Sequence, residues 1–148
     1  MAIRKILTEE SEVLYKKSRK VENFDDRLSI LIDDMFETMN KANGVGLAAP
    51  QIGILRRVVV IKIGNEKIEL VNPQIDECSG KQTEEEGCLS CPNFFGITLR
   101  PMFVVVSGYD RHGKAVKYAG RGLKARAFCH EIDHLDGILF KSRLVSKI

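Results

Sequence analysis

Residues 127–140 read AFCHEIDHLDGILF, with two histidines four positions apart and a glutamate directly after the first. At about 3.6 residues per turn, His130, Glu131 and His134 lie at roughly 0°, 100° and 40° around a helix axis. The imidazoles then stand one above the other with a carboxylate beside them, which can hold a metal ion and keep a base next to it. The stripe Leu123, Ala127, His130, Glu131, His134 is accompanied by a second, wholly apolar one, Phe128, Ile132 and Leu135. A helix apolar on both sides is buried on both sides. The pattern predicts a helix from about Gly122 to Asp136, closed by Gly137, enclosed by strands and carrying its polar trio into the interior.

The rest of the chain supplies those strands. Leu28, Leu31, Ile32, Met35, Phe36 and Met39 recur at helical spacing and predict a first helix from Asp25 to about Ala42. Asp25 or Asp26 can cap its start, and Asn43 and Gly44 tolerate the left-handed conformation that ends it. RRVVVIKIG and MFVVVSGYD are strand-like runs, KIELVNP reads as a short strand stopped by Pro73, and DRHGK as a hairpin turn before AVKYAG. This order suggests an α+β fold: mixed or antiparallel sheets surrounding a central metal-binding helix, with an N-terminal helix. No repeat or linker divides the chain, so residues 1–148 are read as one domain.

The 23 basic and 20 acidic residues are interspersed and the net charge is only +3, so no nucleic-acid stripe or polybasic membrane patch is expected. No apolar run approaches the ~20 residues that span a bilayer. MAIRKILTEESEVL has no signal-peptide pattern, and the expected compartment is the cytoplasm. There, four cysteines are read as thiols or ligands rather than disulfides.

Two histidines hold a metal poorly, and the third donor separates the classes of H-E-x-x-H protein. The position where some peptidases carry a third histidine is Phe140, and no glutamate follows Glu131, so the donor is sought upstream. EEEGCLSCP, residues 84–92, offers Cys88 behind Gly87. A thiolate suits Zn²⁺ or Fe²⁺, and with Cys88, His130 and His134 bound one position stays open for water. A competing arrangement adds Cys91 and closes a non-catalytic Cys2His2 site, although 38 residues separate Cys91 from His130. An H-E-x-x-H peptidase is the other alternative. GVGLAAPQIG, residues 44–53, strips the backbone of bulk and leaves Gln51 as its one long polar side chain. It reads either as a closely packed helix-to-strand turn or as an edge that a substrate backbone can approach, with Gln51 aimed at a developing oxyanion.

Together the three stretches resemble the peptide deformylase family, whose motifs are G-x-G-x-A-A-x-Q, E-G-C-L-S and Q-H-E-x-D-H. The matches are Gly44, Gly46, Ala48, Ala49 and Gln51; Glu86, Gly87, Cys88, Leu89 and Ser90; and His130, Glu131, Asp133 and His134. The resemblance runs from MAIRKIL to about LFKSRL. It implies removal of the N-formyl group from formyl-methionyl peptides and nascent chains at the ribosome. It also implies one divalent metal on Cys88, His130 and His134, natively Fe²⁺, with Zn²⁺, Ni²⁺ or Co²⁺ able to substitute. Glu131 is then the general base, and Gln51 and the Leu89 N–H hold the oxyanion. Val45 and Gly46 are the edge that pairs with the peptide, and Leu123 is a wall of the methionine pocket. Gly44, Gly87, Ser90 and Asp133 stand behind these groups, Asp133 by orienting a ligand or pairing with Arg100, Ser90 and Glu86 by fixing the Cys88 loop. Cys129, Cys91, Glu84 and Arg126 depart from the family, the first from a usual glutamine and the others from usually apolar residues.

Overall fold

The computed structural model describes residues 2–147. Helix α1 (Asp26–Lys41) begins where the Asp25 carboxylate accepts the Leu28 N–H at 3.1 Å. Its stripe from Leu28 to Met39 is buried. The helix ends as Asn43 takes a φ of 58° and the Gly44 N–H returns to the Met39 carbonyl at 2.9 Å. Asn43 rather than Gly44 therefore occupies the left-handed position, a role asparagine tolerates.

The described residues contain eight strands: β1 (Gly46–Ala48), β2 (Val58–Ile63), β3 (Glu66–Ser79), β4 (Gln82–Cys88), β5 (Cys91–Arg100), β6 (Phe103–Tyr109), β7 (Ala115–Arg121) and β8 (Leu144–Lys147). They form an antiparallel five-stranded sheet, ordered β1-β2-β3-β6-β7, and an antiparallel three-stranded sheet, ordered β4-β5-β8. With its two α-helices the fold is α+β. Among the described residues, no helix is long and apolar enough to cross a membrane.

One strand expectation needs correction. Pro73 does not stop β3, because the ladder to β6 breaks register between Val71 and Gln74, where no proline N–H is required. Asn72 has a φ of 52° there, and its side chain bonds the Val21 N–H at 2.8 Å and the Val21 carbonyl at 3.0 Å. The structure also gives EEEGCLSCP, residues 84–92, a place that the sequence reading left open. It is the heart of the β4–β5 hairpin, with Gly87 opposite Phe95 and Cys88 opposite Cys91. The register shift falls on β5, where residues 92–94 bulge out.

Helix α2 (Leu123–Leu135) starts after Gly122 and ends before Gly137, whose φ is 74°. A side chain at Gly137 would place Cβ only 2.5 Å from the Tyr15 carbonyl oxygen, so the turn needs glycine for both space and conformation. Strand β2 lies between the helices and uses the two-residue period of a strand to serve both. Val58 and Val60 join the α1 core, while Val59 and Ile61 join Phe128, Ile132 and Leu135 of α2. A third, smaller core gathers Leu14, Cys91, Leu139 and Phe140 beside β5. The polar side of α2 is thereby turned toward β4, β5 and the end of β1.

Candidate active site

Cys88, the last residue of β4, comes from the hairpin, and His130 and His134 from consecutive turns of α2. Their ligand atoms all lie within 4.8 Å of one another, and the Cys88 Sγ is 3.4 Å from the His134 Nε2. The two imidazole centroids are 5.1 Å apart. Cys91 lies outside this group, which leaves three protein donors rather than the four of a closed site.

The hydrogen bond with Cys91, and then burial, holds the Cys88 thiol well above its ordinary pKa, so a divalent cation must displace its proton, and the two imidazoles are set by different neighbours. Burial keeps the His134 pKa well below its ordinary value, so its imidazole is neutral, the form that binds metal. The His130 Nδ1 lies 2.7 Å from Glu86 Oε1, which turns Nε2 toward the cluster, the carboxylate–histidine arrangement common at metal sites. Burial opposes protonation of His130, but the Glu131 and Glu86 carboxylates outweigh it and raise its pKa. Burial alone would also raise Glu86; hydrogen bonds from His130 and Arg100 instead hold it down at about 2. Arg100 joins Glu86 at 2.9 Å to Asp133 at 2.7 Å, and Asp133 also meets Arg143 at 3.1 Å. Thr98 donates a further hydrogen bond to Glu86.

Glu86 therefore orients His130, not the Cys88 loop as the sequence suggested. The loop is held by Ser90, which is fully buried and whose Oγ lies 3.1 Å from the Gln51 Nε2. The alternation of β4 was the available signal, since Glu86 and Cys88 share a strand face.

Glu131 is 5 % exposed, and its Oε1 and the His134 Nδ1 are buried without a protein partner. Burial raises the Glu131 carboxyl from 4.5 to about 7, against the opposing charge of His130. Beside it, the Gln51 Oε1 accepts the Ala48 N–H at 2.9 Å, which aims Nε2 at the Cys88 Sγ, 3.6 Å away. A cavity of ≈ 480 Å³ opens over this group, lined by Val45, Gly46, Leu89, Leu123, Arg126 and Glu131 among others. Val45 and Leu123 are 40 % and 45 % exposed at its rim. Gly44 packs against Leu89, and Gly87 against the Phe95 ring, each too closely for a side chain. Glu84, expected at the pocket, is exposed on β4 away from the lining, and Glu85 takes that place. His112 and Cys78 are exposed and do not line the cavity, and Cys129 is buried, with its thiol pushed up to about 11 by burial.

A thiol and two imidazoles converging beside a buried, unpartnered carboxylate fit a divalent cation, and on an H-E-x-x-H helix they mark a metal-dependent hydrolase. Comparison with known proteins narrows the class. The model of the polypeptide deformylase family matches residues 3–147, and the chain belongs to that family. It is 57% identical over 145 residues to a peptide deformylase of Caldicellulosiruptor bescii, covering 98% of this chain and 87% of the relative. It is 53% identical over 147 residues to one of Alkaliphilus metalliredigens, covering 99% and 100%. The crystal structure of peptide deformylase from Thermotoga maritima superposes with a TM-score of 0.95 at 38% identity, covering 97% of this chain and 99% of that one.

Proposed function

We infer that this chain removes the N-formyl group from the initiator formyl-methionine of nascent polypeptides, releasing formate and a free amino terminus. The observation that carries the reading is Glu131, a buried carboxylate with an unpartnered oxygen, beside three converging donors and facing the backbone of Gly46. Family membership supplies the substrate class.

In this reading Cys88, His130 and His134 hold a divalent cation, natively Fe²⁺, with Zn²⁺, Ni²⁺ or Co²⁺ able to substitute, on an H-E-x-x-H helix central to the fold. When bound, such a cation lowers the pKa of a coordinated water toward ~7 and polarises a carbonyl oxygen. Glu131 accepts the water's proton and later delivers it to the leaving amine, a task its pKa of about 7 suits. The Gln51 amide and the Leu89 N–H face the developing oxyanion; losing one such donor typically costs about 3–4 kcal/mol of transition-state stabilisation.

Among the described residues, strand β1 is an edge of its sheet, paired only with β2. Val45 and Gly46 can therefore accept the substrate backbone as an added strand. Leu123 borders the methionine side chain. Asp133 positions Arg100, which in turn holds Glu86 against His130. The enzyme is cytoplasmic in this reading and meets its substrates as they leave the ribosome.

The test is formate release from a formyl-Met-Ala peptide under anaerobic conditions with added Fe²⁺. Glu131→Ala keeps its metal and loses turnover by several orders of magnitude. Normal activity in that variant would end the reading.

A further inference from the structure

Cys88 and Cys91 face each other across the two-residue Leu89–Ser90 turn. Directly opposed residues of antiparallel strands have Cα atoms about 4.5–5.5 Å apart. That lies inside the ~4.4–6.8 Å window of a disulfide. Cys88 packs against the small core that contains Cys91. The turn between them is braced: the Ser90 carbonyl accepts the Glu9 N–H at 2.9 Å, and the Ser90 hydroxyl meets Gln51.

The thiols differ in access. Both residues line the cavity, but Cys88 is partly exposed, whereas Cys91 is only 2 % exposed. A small oxidant entering the cavity meets the more exposed Cys88 sulfur first. We propose that Cys91 is a resolving thiol, forming a reversible disulfide with Cys88 when a hydroperoxide enters the site. The proposal rests on the reading of Cys88 as a metal donor.

The steps balance with a hydroperoxide as the oxidant. The Cys88 sulfur attacks one peroxide oxygen, the O–O bond breaks, and water leaves, giving a sulfenic acid. The Cys91 sulfur then attacks the Cys88 sulfur. The S–S bond forms, the S–O bond breaks, and the departing hydroxide takes the Cys91 proton as a second water. Two thiols and one hydrogen peroxide become one disulfide and two waters. The disulfide withdraws a donor from the cluster, so the cation is released. Without a neighbouring thiol, sulfenic acid proceeds to the sulfinic and sulfonic acids, which thiol reductants do not reverse.

The experiment uses the Zn²⁺-loaded protein, because this ion does not react with peroxide. After brief hydrogen peroxide treatment, wild type shows a disulfide within the peptide spanning Cys88 and Cys91, a loss of two hydrogens, and Zn²⁺ release to a chromophoric chelator. Dithiothreitol restores both thiols and Zn²⁺ binding. In Cys91→Ala, Cys88 instead gains two or three oxygens, and recovery of Zn²⁺ binding falls on the order of tenfold relative to wild type. A disulfide mapping to Cys78 or Cys129, oxygenated Cys88 in wild type, or full recovery in Cys91→Ala overturns the proposal. Should Cys91→Ala fail to fold, the wild-type map decides alone. None of these readouts depends on deformylation, so failure here is distinguishable from failure of the functional reading.

Discussion

A Cβ at Gly46 would stand 2.6 Å from Oε2 and 2.9 Å from Cγ of Glu131, so strand β1 and helix α2 meet at this point with room for backbone only. Two stretches separated by more than half the chain thus form one constraint: the glycine lets the carboxylate lie directly under the sheet edge. Gly46→Ala must displace Glu131, because the obstacle is a carboxylate inside a packed helix. Turnover of a formyl-Met peptide should fall on the order of 10²-fold, the cost of a misplacement near 1 Å. Metal content should be unchanged. Steady-state kinetics with metal analysis checks this, and wild-type turnover would contradict it.

Glu86 bonds the His130 Nδ1 and is itself anchored by Arg100 and Thr98. Glu86→Gln keeps the shape but removes the charge that orients the imidazole. Metal affinity should drop about 10–100-fold, the range found for partners of metal-binding histidines. Competition with a chelator of known affinity measures it. An unchanged affinity would mean that α2 alone orients His130.

Arg100 is 4 % exposed and neutralises Glu86 and Asp133 together. Arg100→Met leaves Glu86 buried without its cation, and breaking a buried pair in this way costs about 3–5 kcal/mol. Arg143, 44 % exposed on the other side of Asp133, should contribute less than about 1 kcal/mol when changed to alanine. Urea unfolding of both variants tests the contrast. Equal losses would mean that burial does not set the strength of this network.

The legible parts of this chain are those where side-chain period and burial coincide. The α1 stripe repeats at helical spacing and is buried throughout. The uninterrupted Val58–Ile61 run was recognisable as a strand because a strand between two helices is apolar on both faces. That Cys88, His130 and His134 would converge could be anticipated because few residue types bind a divalent metal and few candidates were present. The β4–β5 hairpin was harder, since Thr83, Glu84 and Glu85 are all exposed and carry no apolar alternation. Its pairing partner lies across a bulge, and without that pairing Glu86 had no visible route to His130. Pro73 misled for a related reason: the side chain that bridges the break, Asn72, bonds a residue 51 positions away.

The remaining prediction concerns pH. Burial is the leading cause that raises the Glu131 carboxyl from 4.5 to about 7, with the Glu86 and Asp133 charges adding to it and His130 and Arg100 opposing. A general base acts only when ionised, so kcat/KM should be low in acid, climb tenfold per pH unit, and level off once Glu131 has lost its proton. A cation on Cys88, His130 and His134 favours the ionised carboxylate, which can move the midpoint only downward from about 7. The loaded enzyme should therefore show one acid limb centred at or below about pH 7 and a plateau above it. Glu131→Gln cannot titrate here, so its residual rate should lack that limb while its metal content matches wild type. Profiles of kcat/KM for both proteins, at constant ionic strength and metal loading, decide the matter. A wild-type limb centred above about pH 8, or an unaltered limb in Glu131→Gln, would assign the titrating base to another group.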